Sequence, residues 1–293
     1  MRPLIRWHGG KWMIAPWILP FLPPHETYTE AFGGGASILF RKERATKAEI
    51  YNDLDETLIR LFKVLQDPAK AERLVELLRL TPYSRKEFEW AYEPTDDDVE
   101  AARRTLVRSW MGYGSDGTAG VYKTGFRSIV NQAGKTPAGE WVNYVATIDR
   151  TIERIRGVNI ECRDAFKVLE QYDGPETLHY VDPPYLPSTR SAGNRRRGAG
   201  FHVYQHELQI DDHVRLLETL RSLDGMVILS GYPSELYDDA LPDWERHDRR
   251  AYADGGSPRT EVIWINPRCA NRLKAVASLS SPHASLFERV SAS

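Results

Sequence analysis

The chain is poor in cysteine and has no long apolar run. Its 293 residues include only two cysteines, Cys162 and Cys269. Two cysteines cannot build a disulfide framework or a four-ligand zinc site, so we expect small buried thiols in a reduced, cytoplasmic protein. No segment reaches the apolar length of a membrane span, and the N-terminus has no apolar core of signal-peptide length. These absences argue against a secreted, zinc-structured or membrane protein.

Charge is also nearly balanced, with a formal net charge of -2. The whole molecule is therefore no polycation, which argues against strong non-specific binding to nucleic acid. The eight histidines form no ligand pattern such as His-Glu-x-x-His, so we expect no metal. Basic residues nevertheless gather in two regions, where they are either solvated or a local face for DNA: Arg103, Arg104, Arg108, Lys123 and Arg127, and then Arg190, Arg195, Arg196 and Arg197.

The most informative stretch is a short apolar run, residues 178–181, that ends in Asp182, Pro183, Pro184 and Tyr185. Two prolines stop a strand and restrict the residue ahead of each, so the acid and the aromatic ring would stand rigidly at a strand end. In open α/β sheets ligands bind at the carboxyl ends of the strands.

A rigid acceptor beside an aromatic face suits an exocyclic amine on a nucleobase. Asp182 and the Pro183 carbonyl can each accept one N–H of that amine, and Tyr185 can stack on the base. The alternative is a Pro-Pro loop that merely ends a strand. The tetrapeptide alone only slightly favours the ligand-binding interpretation.

Two glycine-rich turns precede this stretch. Gly9-Gly10 presents Lys11 and Trp7 to a ligand, or it begins an N-terminal helix, and the sequence leaves both open. Residues 27–40 predict a strand, a loop containing Phe32, Gly33, Gly34 and Gly35, and a helix that begins near Ala36. Glycines let a backbone approach a ligand closely, but Ile38 replaces the third glycine of a dinucleotide-binding loop.

Acids follow the next two predicted strands, residues 47–51 and 158–162. Asp53 suits ribose hydroxyls, although with Glu56 it also fits a helix-capping box, and both roles can hold. Asp164 and Phe166 could hold the adenine ring of a cofactor, and Asp164 is equally a helix N-cap.

Strand and helix alternate outside residues 57–156, which indicates a doubly wound α/β sheet with a mainly helical insertion. Two late strands, residues 244–252 and 260–266, are expected to be antiparallel, and residues 186–202 are expected to form a loop beside the site. The predicted division is a catalytic domain of residues 1–56 and 157–275, the insertion 57–156, and a peripheral tail 276–293. A glycine-rich stretch in the insertion interleaves aromatic and basic residues, namely Tyr113, Tyr122, Lys123 and Arg127, and this mixture suits DNA contact. A purely structural insertion is the alternative.

Taken in order, the glycine loop after Glu30, the acid, the acid-aromatic pair and Asp-Pro-Pro-Tyr make the chain resemble the Dam-type (D12 class) DNA adenine-N6 methyltransferases. The resemblance runs from Trp7 to about Asn266, with Ala31 where that family usually has proline. It implies a Rossmann-like methyltransferase fold, S-adenosyl-L-methionine as methyl donor, and N6 of a flipped-out adenine in double-stranded DNA as acceptor. It also implies a monomer that needs no metal.

The resemblance assigns three sets of residues. It gives a catalytic role to Asp182, Pro183, Pro184 and Tyr185. It gives cofactor binding to Trp7, Lys11, Phe32, Gly33, Gly34, Gly35, Asp53, Asp164, Phe166 and Asp182. DNA binding falls to the helical insertion, with Tyr113, Tyr122, Lys123 and Arg127, and to Arg190, Arg195, Arg196 and Arg197.

Three alternatives stay open at this point. A cytosine-N4 methyltransferase uses a similar acceptor tip but more often has serine where Asp182 stands. A catalytically silent DNA-binding module could keep the same fold. A nicotinamide dehydrogenase lacks support without the third glycine. The target sequence, and a solitary, phage or restriction–modification setting, cannot be read from the residues.

Overall fold

A seven-stranded sheet organises the protein in the computed structural model, which describes residues 2–114, 117–118, 123–129, 134, 136–186, 208–252 and 258–280. The spatial order of the strands is β3-β2-β1-β4-β5-β7-β6. The strands are β1 Thr27–Glu30, β2 Ala48–Asn52, β3 Asn159–Glu161, β4 Thr177–Val181, β5 Met226–Gly231, β6 Glu245–Tyr252 and β7 Pro258–Ile265.

The first five strands are parallel, and β7 runs antiparallel to both β5 and β6. Every residue of β4 and of β5 is buried. Such completely buried strands are typical of parallel sheets that are covered by helices on both faces. The doubly wound sheet and its antiparallel end are thus confirmed.

Helices follow the strands and fill the region between β2 and β3. They are α1 Ala15–Ile18, α2 Glu56–Gln66, α3 Pro68–Leu80, α4 Arg85–Trp90, α5 Asp98–Met111, α6 Pro137–Val145, α7 Ile148–Ile155, α8 Ala165–Gln171, α9 Ile210–Ser222, α10 Glu235–Ala240 and α11 Pro267–Ser280. None of these described helices combines the length and apolar character that a membrane crossing requires.

Two local predictions were wrong. Residues 37–41 form successive turns instead of a helix, because the Leu39 N–H donates to the Glu30 carboxylate at 2.6 Å and leaves the helical pattern. The helix α2 is capped by Asp55, whose side chain accepts from Thr57 N, so Asp53 is not the cap. In addition, α11 continues past residue 275 to Ser280, so the start of the predicted tail is helical.

The helical region shares one apolar core with the sheet. Phe62 on α2 is fully buried, and its ring centroid lies 4.4 Å from that of Tyr51 on β2. On α5, the Trp110 indole donates to the Leu4 carbonyl at 3.1 Å and stacks on Tyr144 with centroids 4.3 Å apart. Because these contacts tie the helices to the sheet and to the N-terminal segment, the predicted domain boundaries stay predictions.

This shared core predicts the effect of Phe62→Ala. The truncation leaves a cavity between α2 and β2, so we expect the free energy of unfolding to fall by about 3–5 kcal/mol. Leu80→Ala is the control, because Leu80 is 74% exposed at the end of α3, and it should change stability by less than about 0.5 kcal/mol. Urea unfolding measures both, and equal losses in the two variants would contradict a shared core.

Candidate active site

A cavity of about 490 Å³ opens at the edge where the parallel strands β1, β2 and β4 end. Its volume lies in the range of small-molecule sites, roughly 300–1,000 Å³. The lining comes mainly from residues within 7–11, 30–38, 52–55 and 180–184. Of the predicted site residues it brings together Trp7, Lys11, Phe32, Gly33, Gly34, Gly35, Asp53, Asp182, Pro183 and Pro184.

Asp182 lies directly after β4 and is held by Lys11. Its Oδ2 is 2.8 Å from Lys11 Nζ, and the same ammonium donates to the Gly9 carbonyl at 2.8 Å. Its Oδ1 is buried and has no hydrogen-bond partner among the described residues. Burial raises the pKa of Asp182, and the Lys11 charge counteracts that rise. One fixed carboxylate oxygen is therefore left to accept from a ligand.

Tyr185 completes the tip but lies deeper than the cavity wall. Its ring is 7% exposed, and Lys11 Nζ lies 4.7 Å from the ring centroid. Its hydroxyl donates to Glu261 Oε2 at 3.1 Å, and its ring packs edge-on against Tyr232 with centroids 4.4 Å apart. The sequence analysis missed Glu261, although an acid at the start of the apolar run 262–265 was a visible signal.

The glycine loop is shaped by its own neighbours. A Cβ on Gly33 would lie 2.2 Å from the Tyr51 ring, and a Cβ on Gly34 would lie 2.6 Å from Trp7 Nε1. Gly34 also has a φ of +47°, a left-handed conformation that favours glycine. These glycines are thus needed for contact with Trp7 and Tyr51, whereas the sequence suggested close approach to a ligand as their reason.

Asp53 and the preceding Asn52 hold the loops that surround the cavity. Asp53 Oδ2 accepts from Gly34 N at 2.8 Å, and its Oδ1 accepts from Asp55 N at 2.9 Å. Asn52, 1% exposed, donates to the carbonyls of Ala31 and Arg163 and accepts from Arg163 N. Asn52 therefore joins the loops after β1 and β3 to β2, a role that no local sequence pattern indicated.

Glu30, the last residue of β1, is a second acid of the cavity and is 2% exposed. Its Oε1 accepts from the Tyr28 hydroxyl at 2.8 Å and from Leu39 N at 2.6 Å. Burial raises the pKa of Glu30 to about 7, although the Tyr28 and Leu39 hydrogen bonds oppose the rise. Near neutral pH this acid is partly protonated, which lowers the negative charge of the cavity.

The turn after β3 contributes less to the cavity lining than the loops after β1 and β2 do. Asp164 is the N-cap of α8, as predicted, and accepts from Phe166 N at 2.8 Å. Phe166 is 6% exposed and belongs to an apolar cluster that includes Leu169 and Leu216. The Arg215 guanidinium lies 4.1 Å from its ring centroid. Only Ala165 of this turn lines the cavity. Cofactor contact by Asp164 and Phe166 stays a prediction.

The residues predicted to bind DNA differ in their exposure and in their contacts. Tyr113 is 72% exposed, and Lys123 Nζ lies 5.5 Å from the Tyr92 ring centroid. Arg127 Nη2 is 2.8 Å from Glu140 Oε2, so its charge is paired within the protein. Tyr122, Arg190, Arg195, Arg196 and Arg197 lie outside the described residues.

Three more arginines of the predicted basic face form ion pairs and hydrogen bonds within the helical region. Arg103 is 9% exposed and pairs with Glu87 and Glu100. Arg104 also pairs with Glu100, and Arg108 donates to the Ala91 and Thr118 carbonyls. These guanidinium groups stabilise the helical region, and DNA contact by them stays a prediction.

The strand order with an antiparallel β7, the glycine loop after β1 and the Asp-Pro-Pro-Tyr tip after β4 define a methyltransferase-type Rossmann-like protein. Residues 7–251 match the family model of the D12 class N6 adenine-specific DNA methyltransferases. The chain belongs to that family, and its activity is methylation of adenine in DNA.

Curated relatives agree with the family. The chain is 26% identical to the Type II methyltransferase M1.LlaDCHI of Lactococcus lactis subsp. cremoris, with 91% of this chain and 95% of that protein covered. It is also 26% identical to the Type II methyltransferase M.MjaIII of Methanocaldococcus jannaschii, over 76% of this chain and 81% of that protein. The DNA N-6-adenine-methyltransferase of Escherichia phage P1 is 24% identical over 82% of this chain and 31% of its own length.

The packing of the glycine loop predicts that Gly34→Ala is destabilising. The new methyl group would overlap the Trp7 indole in a left-handed conformation, so we expect a loss of about 1–3 kcal/mol in the free energy of unfolding. Gly174→Ala is the matched control, since its Cβ would meet only Thr177 Oγ1, at 3.8 Å. Thermal unfolding compares the two, and an unchanged midpoint for Gly34→Ala would refute the packing role.

The raised pKa of Glu30 predicts that the stability of the protein depends on pH. This pKa rises from 4.5 to about 7 on folding, so the contribution of Glu30 is most favourable below pH 4.5 and is lost as the pH rises to 7. The Gln side chain of Glu30→Gln cannot ionise. As the pH rises over this range, the free energy of unfolding of the variant should therefore increase relative to that of the wild type, by at most about 3 kcal/mol. Urea unfolding at several pH values measures this. Glu218→Gln, at an exposed position of α9, is the control, and a pH-independent difference for Glu30→Gln would contradict the expectation.

Proposed function

We propose that this cavity binds S-adenosyl-L-methionine and that Asp182 and the Pro183 carbonyl bind the N6 amine of a flipped-out adenine. The observation that carries the proposal is the Asp182 carboxylate at the cavity wall. One of its oxygens is held by Lys11, and the other has no hydrogen-bond partner among the described residues. An amine with two N–H groups is a fitting ligand for such a tip.

The donor set of the cavity fits the cofactor. S-adenosyl-L-methionine carries a sulfonium and an ammonium, and the lining includes the acids Glu30, Asp53, Asp55 and Asp182. A carboxylate near a sulfonium is favourable at the reduced dielectric of a partly enclosed site. Both Asp53 oxygens already accept backbone N–H groups, and a carboxylate oxygen can accept more than one hydrogen bond, so a ribose hydroxyl is a compatible ligand for Asp53.

The protein's own part in the reaction is to position and polarise the amine. The cofactor would supply a methyl group bonded to a sulfonium sulfur, and this sulfur would leave as a neutral thioether. Asp182 and the Pro183 carbonyl draw the two N–H bonds toward themselves, so the nitrogen lone pair leaves the ring conjugation and faces the cavity. The nitrogen gains the methyl group and gives up one proton, and Asp182, whose pKa is raised by burial, is the adjacent acceptor.

Adenine N6 cannot reach this tip from inside a stacked duplex, so the base must be extruded. We propose that it stacks on Tyr185. Because Lys11 Nζ lies over that ring, 4.7 Å from its centroid, stacking requires the Lys11 ammonium to move off the ring. We propose that the protein acts on double-stranded DNA as a monomer.

Nucleoside mass spectrometry tests the proposal. The protein is incubated with S-adenosyl-L-methionine and PCR-amplified, hence unmethylated, DNA, and the DNA is digested to nucleosides. We expect N6-methyladenine from the wild type and a rate lower by about 10²–10³-fold or more in Asp182→Ala, since a fixed electrostatic contact is lost. Cofactor affinity, measured by calorimetry, should change only a few-fold.

The exposed Asp239 on α10 provides the control, Asp239→Ala, which should keep the wild-type rate. Retained turnover in Asp182→Ala would refute the role of the carboxylate. N4-methylcytosine as product would overturn the base assignment.

A further inference from the structure

The antiparallel strand β7 contributes a buried acid to the active edge. Glu261 is 5% exposed, and the following residues 262–265 are at most 1% exposed. Val262 pairs with Gly231 at the end of β5. Because β7 runs opposite to β5, its amino-terminal half lies where the parallel strands end, and Glu261 thereby reaches the Asp-Pro-Pro-Tyr tip.

Glu261 contacts the tip through Tyr185. Its Oε2 accepts from the Tyr185 hydroxyl at 3.1 Å, and its Oε1 lies 3.4 Å from Arg259 Nε. Arg259 also donates to the Tyr232 hydroxyl, and the Tyr232 ring meets the Tyr185 ring at an interplanar angle of 64°. We call Arg259, Glu261 and Tyr232 the tyrosine frame, because together they contact both the hydroxyl and the ring of Tyr185.

A buried carboxylate at this place is electrostatically unfavourable. Glu261 is close enough to Asp182 that its negative charge helps to raise the pKa of Asp182, after the effect of burial. Arg259, one-third exposed, is the cation that compensates Glu261. A neutral residue would fill the same space without this repulsion, so packing alone does not account for the acid, and unfavourable charges of this kind concentrate at functional sites.

We propose that Glu261 is a positioning residue, which fixes the plane of the Tyr185 ring through the hydroxyl–carboxylate hydrogen bond so that the flipped adenine stacks with its amine at Asp182. This inference rests on the proposed function. Tyr185 follows two prolines that fix the backbone, and its ring then has two side-chain torsions left to set. The frame sets them through the hydrogen bond to Glu261 and the edge-on contact with Tyr232.

A double-mutant cycle tests the inference with Tyr185→Phe, Glu261→Gln and the combined variant. Tyr185→Phe keeps the ring and removes only the hydroxyl. Because small displacements of a reacting group can lower rates by up to about 10²-fold, we expect each single variant to lose about 10–100-fold in the single-turnover rate of adenine methylation. The combined variant should lose no more than the worse single variant, since Tyr185→Phe removes the same hydroxyl–carboxylate hydrogen bond that Glu261→Gln weakens.

Further readouts separate positioning from folding. Cofactor affinity by calorimetry should stay within about threefold of the wild type, because the frame lies beyond the cavity lining. The loss should fall on kcat more than on the KM for DNA. Glu245→Gln on β6 is the matched control and should keep the wild-type rate, because the Glu245 carboxylate contacts Lys274 at 2.5 Å and His247 at 3.8 Å and not the frame.

Each outcome decides the matter. Losses that multiply in the combined variant, or a wild-type rate in Tyr185→Phe, overturn the proposal. Tyr185→Phe retains Glu261, so it remains informative even if Glu261→Gln does not fold. A wild-type enzyme that forms no N6-methyladenine sinks the proposed function itself, whereas an active wild type with an unaffected Tyr185→Phe sinks only the role of Glu261.

Discussion

The ion pair between Lys11 and Asp182 joins the two parts of the chain on which the site depends. Lys11 belongs to the N-terminal segment, and Asp182 ends β4. Lys11 is 5% exposed, so the pair forms largely out of water, where two charges are costly unless their geometry and additional hydrogen bonds compensate. The Gly9 carbonyl provides one such bond. A hydrophobic pair would stabilise the fold more cheaply, so the charges are best explained by the chemistry of the site.

The N-terminal segment that carries Lys11 is in turn held by the helical region. Arg6 N donates to Ser109 Oγ at 2.7 Å, and the Thr118 hydroxyl donates to the Arg6 carbonyl at 2.8 Å. On its other side Trp7 packs against Gly34 of the cavity loop. A shift of α5 relative to the sheet therefore has to move Arg6, and with it the side chains that contact Asp182 and the glycine loop. The helical region and the end of β4 that carries Asp182 are therefore both connected to this short piece of chain.

Sequence reasoning succeeded where the signal is local and covalent. The prolines after Asp182 and the apolar runs of β4 and β5 predicted both the strand ends and the parallel sheet. It failed where a distant contact decides. The turns after Ala36 depend on the carboxylate of Glu30, and the conformation of Gly34 depends on Trp7. The pairing of Arg127 with Glu140 could not be predicted either, because the two residues are distant in sequence.

The roles of Glu261 and Asn52 could not be predicted for the same reason, since each depends on strand order. The acid before the apolar run 262–265 was visible in the sequence, but its contact with Tyr185 was not. Asn52 can bind the loops after β1 and β3 only because β2 lies between these two strands. Glu261 reaches Tyr185 only because β7 is antiparallel.

Charge at the active edge has to satisfy two opposite partners. The proposed methyl donor is a cation, and the acids of the active edge attract it. DNA is a polyanion, which the same acids repel. The protein lowers the conflict in two ways. Burial raises the pKa of Glu30 to about 7, which reduces the negative charge of this acid at neutral pH. Lys11 and Arg259 then place one cation against each of the acids nearest the tip. Only the neutral base has to enter, and the phosphates can remain outside the acidic cavity.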